Sequence, residues 1–393
     1  VNPSQPDGVG DVVIEPTTFA DLNDLSVFLT RGFGVEPDAP FAHPEVLAWK
    51  FLEPAEQTGF STTPRSLLAR RADESRRIVA HLGVSLSRWQ ILGLPRDARD
   101  EYTLPTTLHM LDWLRDPASP WRSIGVSLMR RIHRLAATQY GLGGTEAARR
   151  VSVRTGYRLV GTAPLWVRVV KPWVSPPTSS HRERARQGLR WARDGLRWAR
   201  AALGSRFQSH GGLCVEPVNR FGDELDAWIE TLDWRGSPWC DLGPDRPPIL
   251  TTMRSANRFN YVLACPHVGA RVRALRLCDE TGLRAVVMTA TRIRRTTSSA
   301  WPTIHGRIVE VLADRPDLVL WCEAVAAAVE VLKHDEVSRI DAIGGLPWLD
   351  AALGRLGFHR VSELDLHLRD PAGLLPSFNR LHLSPLEADY VVC

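Results

Sequence analysis

Leu111-Asp-Trp-Leu-Arg-Asp-Pro-Ala-Ser-Pro-Trp-Arg-Ser-Ile-Gly-Val-Ser-Leu-Met129 is the stretch on which the fold turns. Up to Pro117 the chain is extended and apolar, with Leu108, Met110, Leu111, Trp113 and Leu114. A turn through Ser123-Ile124-Gly125 follows, and an amphipathic helix is predicted from Val126 to about Tyr140. A strand that feeds a helix through such a turn exposes backbone N–H groups at the helix start. With the positive end of the helix dipole, those donors suit a phosphate group. Gly125, lacking a Cβ, would let an anion approach the backbone. Arg122, Ser123, Ile124, Gly125, Val126 and Ser127 are therefore the candidate phosphate-binding residues.

The landmarks around this turn keep a definite order. Pro117 closes the strand, and Leu128-Met129 lie three and four positions beyond Gly125. Gly141-Leu-Gly-Gly-Thr-Glu then leads to a helix over 147–154, and Gly156-Tyr157-Arg-Leu-Val-Gly opens another strand. This order and spacing resembles the GNAT acyltransferase superfamily, whose turn holds the coenzyme A pyrophosphate. The resemblance implies acetyl-CoA or another acyl-CoA as co-substrate, and no metal. Three positions depart from the family pattern. Ser123 replaces the first Gly of the turn, Pro120 occupies the arm beside Arg122, and Ser152 falls where a Tyr often serves as general acid.

At 393 residues, with 44% hydrophobic and 24% charged side chains, the chain suits about two globular domains. No apolar run approaches the ~20 residues that cross a bilayer. Val1-Asn-Pro-Ser-Gln-Pro-Asp-Gly lacks the basic-then-apolar character of a secretory signal. The six Cys are scattered without a Cys-x-x-Cys pair, which points to reduced thiols and a cytoplasmic location. No Cys/His grouping has metal-ligand spacing.

The chain repeats itself. Leu213-Cys-Val-Glu-Pro217 echoes Val13-Ile-Glu-Pro16, and Tyr261-Val-Leu-Ala-Cys-Pro266 matches Trp49-Lys-Phe-Leu-Glu-Pro54. Gly357-Phe358-His-Arg-Val parallels Gly156-Tyr157-Arg-Leu-Val. We read two tandem α/β GNAT-like domains, 12–171 and 211–393, each a mixed twisted sheet flanked by helices. Only the first has the phosphate turn; in the second, Asp317 is predicted to cap the corresponding helix and to repel a pyrophosphate.

Residues 172–210 form a Pro-rich, Arg-rich linker. Eight Arg stand against Glu183 and Asp194 between Arg182 and Arg206, with Leu189, Leu196 and Leu203 on one seam. Either this helix docks its Leu seam on a domain, or it meets an anionic membrane surface or polyanionic partner. Nucleic acid is not expected, because the basic residues are confined to this one helix.

Acyl transfer to an amine needs a base for the amine and a donor polarising the thioester carbonyl. Asp112 and His109, on the strand 107–114 and predicted to point to opposite faces, are the candidate catalytic residues. His81 is a further candidate base, and Tyr102, Tyr140 and Tyr157 are candidate proton donors. The tail from His382 is predicted to dock, with Glu387 and Asp389 available to bind a cationic acceptor. The reading is an acyl-CoA-dependent N-acyltransferase acting on a small molecule, sugar or amino acid. A catalytically inactive tandem binding module and a tRNA-dependent Fem-type aminoacyl transferase remain open. The Ser123–Gly125 turn favours the first, since an inactive module has no reason to keep it open.

Overall fold

The computed structural model describes residues 11–53, 63–94, 102–172, 192–199, 212–234, 249–268, 270–294, 303–376, 378 and 380–387. The first repeat runs β1 (Val12–Pro16), α1 (Leu22–Phe33), α2 (Pro44–Phe51), β2 (Ser66–Arg71), β3 (Ile78–Leu92) and β4 (Thr106–Arg115). It continues with α3 (Ile124–Ile132), β5 (Thr138–Leu142), α4 (Glu146–Arg154) and β6 (Arg158–Val169). Helix α1 buries Leu22, Leu25, Phe28 and Leu29 at helical spacing, and stops where Gly34 turns left-handed at φ 64°. Pro44 opens α2, where its missing N–H costs no hydrogen bond.

A short helix, α5, covers 192–199. The second repeat follows as β7 (Cys214–Val218), α6 (Asp223–Thr231), β8 (Ile249–Thr252), α7 (Ala256–Leu263), β9 (Ala270–Asp279) and β10 (Gly282–Arg294). Then come β11 (Thr303–Ala313), α8 (Leu318–His334), β12 (Arg339–Ile343), α9 (Pro347–Arg355), β13 (His359–Arg369) and β14 (Arg380–Leu381). Helix α8 is apolar around most of its circumference, and Leu320, Trp321, Val325, Ala328 and Leu332 are all buried.

The repeats do not reveal how the two sheets join. The strand order is β1-β2-β3-β4-β5-β13-β6-β12-β11-β10-β9-β7. Strand β13, from the second repeat, lies between β5 and β6 of the first, while β6 pairs with β12 of the second. Each repeat thus has its sheet completed by a strand of the other, β13 in the first and β6 in the second. A local pseudo-twofold relation is visible in side chains too. Trp49 and Tyr261, equivalent in the two repeats, stack with ring centroids 4.7 Å apart. Trp49 Nε1 donates to the Tyr261 carbonyl at 3.0 Å, and the Tyr261 hydroxyl donates to the Trp49 carbonyl at 3.2 Å.

Three expectations meet corrections or limits. The helix predicted to reach Tyr140 ends at Ile132, because Thr138–Leu142 is a strand held between β4 and β13. Of the Arg-rich segment only 192–199 is described; it is helical, but Leu196 is 71% exposed, so the Leu seam is not docked at that residue. The remainder of the linker, the first ten residues and Asp389 lie outside the described residues. No helix among the described residues is long and apolar enough to cross a membrane.

Candidate functional site

Strands β4 and β5 are parallel and pair only at Thr107↔Thr138, Leu108↔Gln139 and His109↔Tyr140. Both continue beyond that point, β4 to Arg115 and β5 to Leu142, so their backbones part after His109. Parting strands leave backbone donors and acceptors of β4 facing a cleft instead of a neighbour.

On the other edge of β4 the ladder to β3 skips from His81↔Leu114 to Gly83↔Leu111. The extra residue is taken up at Asp112, whose φ is 45°. That left-handed backbone reverses the expected side-chain direction. Asp112 ion-pairs with Lys50 of α2, and both side chains are buried. Gly83 and Ser85 pair with Leu111 and His109, and a Cβ on Gly83 would strike Phe51 of α2. So α2, the Asp112 carboxylate and His109 share one face, and the prediction of opposite faces is overturned.

His81 locks the bulge. Its Nδ1 lies 2.9 Å from the Asp112 carbonyl, which can only accept, so the proton belongs on Nδ1. Nε2 then accepts from Ser66 Oγ at 2.9 Å, and Ser66 Oγ accepts from Thr17 Oγ1 at 2.5 Å. Burial drives the imidazole down; the Asp112 carbonyl opposes this, Lys50 adds to it, and the pKa falls to about 3. A neutral, fully occupied His81 holds structure and takes no proton at neutral pH.

His109 is buried and stacks on Tyr140 with centroids 4.6 Å apart. Its cross-strand partner Ser85 receives Arg258 Nη2 from α7 at 3.4 Å, and that same nitrogen donates to the Leu386 carbonyl at 2.6 Å. His109 therefore faces the junction of the two repeats and the docked C-terminal segment. Tyr157 lies on the opposite face: its hydroxyl is 3.2 Å from Gln139 Oε1 and 3.2 Å from Met110 Sδ. Burial pushes that phenol up, so it keeps its proton. Tyr102 is at the surface and Ser152 is buried on α4.

Beyond the cleft, α3 begins with no side chain capping it and no acidic residue in its first turn. Arg122 and Ser123 are exposed, Val126 and Ser127 half-buried, and Ile124 and Gly125 buried. Gly125 has a packing reason of its own: a Cβ there would come 3.2 Å from Trp113 Nε1. The second repeat differs at each of these points. Asp317 caps α8 through Leu320 N–H at 2.9 Å. Where β11 outruns its pairing with β12, Glu310 fills the space, bonded to Arg254 Nε at 2.9 Å and Ser384 Oγ at 2.7 Å, with His382 Nε2 at 3.3 Å. Burial would raise the Glu310 carboxyl, but Arg254, His382 and Ser384 outweigh it and hold it at about 2.

No protein-family model and no curated protein matches the chain. Solved structures do. Saccharomyces cerevisiae N-myristoyltransferase with bound myristoyl-CoA and inhibitors aligns over 98% of this chain and 88% of its own, at 11% identity and a TM-score of 0.61. A GCN5-related N-acetyltransferase from Anabaena variabilis ATCC 29413 aligns over 91% of this chain and 72% of its own, at 10% identity and a TM-score of 0.52. The fold is a tandem GNAT fold. Within this GNAT fold, Lys50, paired with Asp112, and Arg258, bonded to Ser85 and the Leu386 carbonyl, lie near His109 and were not singled out from the sequence. Lys50 carried one signal, a lone charge among the apolar residues Val46, Leu47, Trp49 and Phe51 of α2. Among the described residues no group of three or more His, Cys, Asp or Glu could hold a metal.

Proposed function

We propose that the chain is an acyl-CoA-dependent N-acyltransferase with one coenzyme site, in the first repeat. The supporting observation is the parting of β4 from β5 after His109, together with the uncapped start of α3. The pyrophosphate would sit at the exposed start of α3, over Ser123 and beside Arg122, held by the positive end of the helix dipole. The N–H groups of Ile124, Val126 and Ser127 already donate to the Trp121 and Ser123 carbonyls. The thioester would lie along the parted strands. A β4 N–H past His109 would polarise the carbonyl. The acceptor amine, on a small molecule, would come from the α2 side, where His109 accepts its proton as nitrogen attacks the carbonyl carbon. The C–S bond then breaks, and the thiolate leaves and takes the proton that His109 received, which returns the imidazole to its neutral form. Asp112, held by Lys50, maintains the bulge.

The test is calorimetry with acetyl-CoA on wild type and Ser123→Asp. This substitution places a carboxylate at the exposed start of α3, where Ser123 has helical φ −86° and ψ −5°. A change at this surface position should leave the fold intact and weaken binding about tenfold or more by repulsion. A folded wild type that binds neither acetyl-CoA nor myristoyl-CoA would overturn the proposal.

A further inference from the structure

His367 of β13 is 6% exposed, and both ring nitrogens are buried without a hydrogen-bond partner among the described residues. Two unpaired polar atoms in one buried ring are costly to keep, so the site calls for a partner beyond the described residues. The surroundings say where that partner would lie. His367 pairs with Gly141 of β5, on the row immediately after the last β4–β5 pair. A Cβ on Gly141 would come 3.2 Å from the Met110 methyl, so the flexible end of Met110 is the one side chain within 4 Å of that position. Gly141 and Met110 are half-buried, leaving the row open at the β4 end while His367 closes the other. Asp365, on the same face of β13, ion-pairs with Arg149 of α4, which fixes the helix above the row. Burial keeps the imidazole neutral, with Arg149 opposing protonation and Asp365 favouring it. A neutral imidazole offers one N–H donor and one acceptor.

We propose that His367, delivered to the first repeat's cleft by β13 of the second repeat, hydrogen-bonds an amide of the pantetheine arm of coenzyme A. A secondary amide carries one donor and one acceptor, the complement of what the ring presents. The inference rests on the coenzyme reading above and adds a positioning residue that the first repeat cannot supply for itself. It also gives the exchanged strand a part in the site.

Calorimetry with two probes tests it: coenzyme A, and adenosine 3′,5′-bisphosphate, which lacks the arm. His367→Leu should weaken coenzyme A about tenfold, the loss of one hydrogen bond, and leave the bisphosphate unchanged. His367→Gln should recover part of that loss. Without ligand, the Leu variant should melt at or above the wild-type temperature, because unpaired buried polar atoms have been removed. A Leu variant that melts well below wild type, or loses both probes equally, makes His367 structural and overturns the inference. Unchanged coenzyme A binding overturns it alone, with the coenzyme site intact. A folded wild type that binds neither probe overturns the coenzyme reading and this inference together.

Discussion

At the scale of single residues, the site is governed by which buried polar groups have partners. His81 has both nitrogens occupied, and its neutral state has a consequence for stability. The native imidazole titrates near 3, whereas the unfolded chain takes up that proton near 6.5. Between those values the unfolded state binds more protons, so stability falls as the pH drops below 6.5, by about 1.4 kcal/mol per unit from this group. Urea unfolding of wild type and His81→Gln between pH 7 and 5 should give the variant a slope flatter by roughly that amount. Parallel slopes would exclude a neutral buried His81. Asp112 shows the limit of reading residues singly: alternation assigned its face, and one left-handed φ reversed it.

At the scale of elements, the turn between β4 and α3 combines two demands. Its exposed residues leave the helix start uncapped, while buried Gly125 lets Trp113 lie against α3. Gly125→Val would force that contact apart and should destabilise the protein by about 1–3 kcal/mol. Denaturant titration checks this, and an unchanged midpoint would mean that Trp113 can move aside. For this reason Ser123→Asp, at the surface, probes the anion site more cleanly than a change at Gly125. The strand before Pro117, the helix after the Ser123–Gly125 turn and the helix over 147–154 were legible from apolar periodicity and turn residues, whereas β8 and β14 were not. The end of α3 was not, because Thr138–Leu142 owes its strand state to neighbours on both sides.

For the whole molecule, the exchanged strands make each repeat depend on the other. Alone, residues 11–172 would leave β5 with an unpaired edge in place of β13 and strip β6 of both its partners. Expressed separately, the halves should aggregate or pair with copies of themselves. Co-expressed as two chains cut between residues 172 and 212, they should purify as a one-to-one complex. Size-exclusion chromatography decides the matter, and a folded monomeric first half would contradict it. The C-terminal segment adds to the closure, since Arg254, Glu310, His382 and Ser384 join α7's approach, β11 and the tail in one buried network.

By itself the sequence determined the duplication, the strand, turn and helix around Ser123–Gly125, and the helix and strand that follow them. These are local properties, recorded in the period of apolar residues and in the residues that interrupt it. Only the tertiary structure decided that β13 and β6 change places, that Asp112 faces Lys50, and that His367 lies beside Gly141. Each depends on a partner distant in the chain: a strand's neighbour, the bulge that sets a φ, or the repeat that completes the sheet. Periodicity tells which face a residue shows, and it carries no information about what that face will meet.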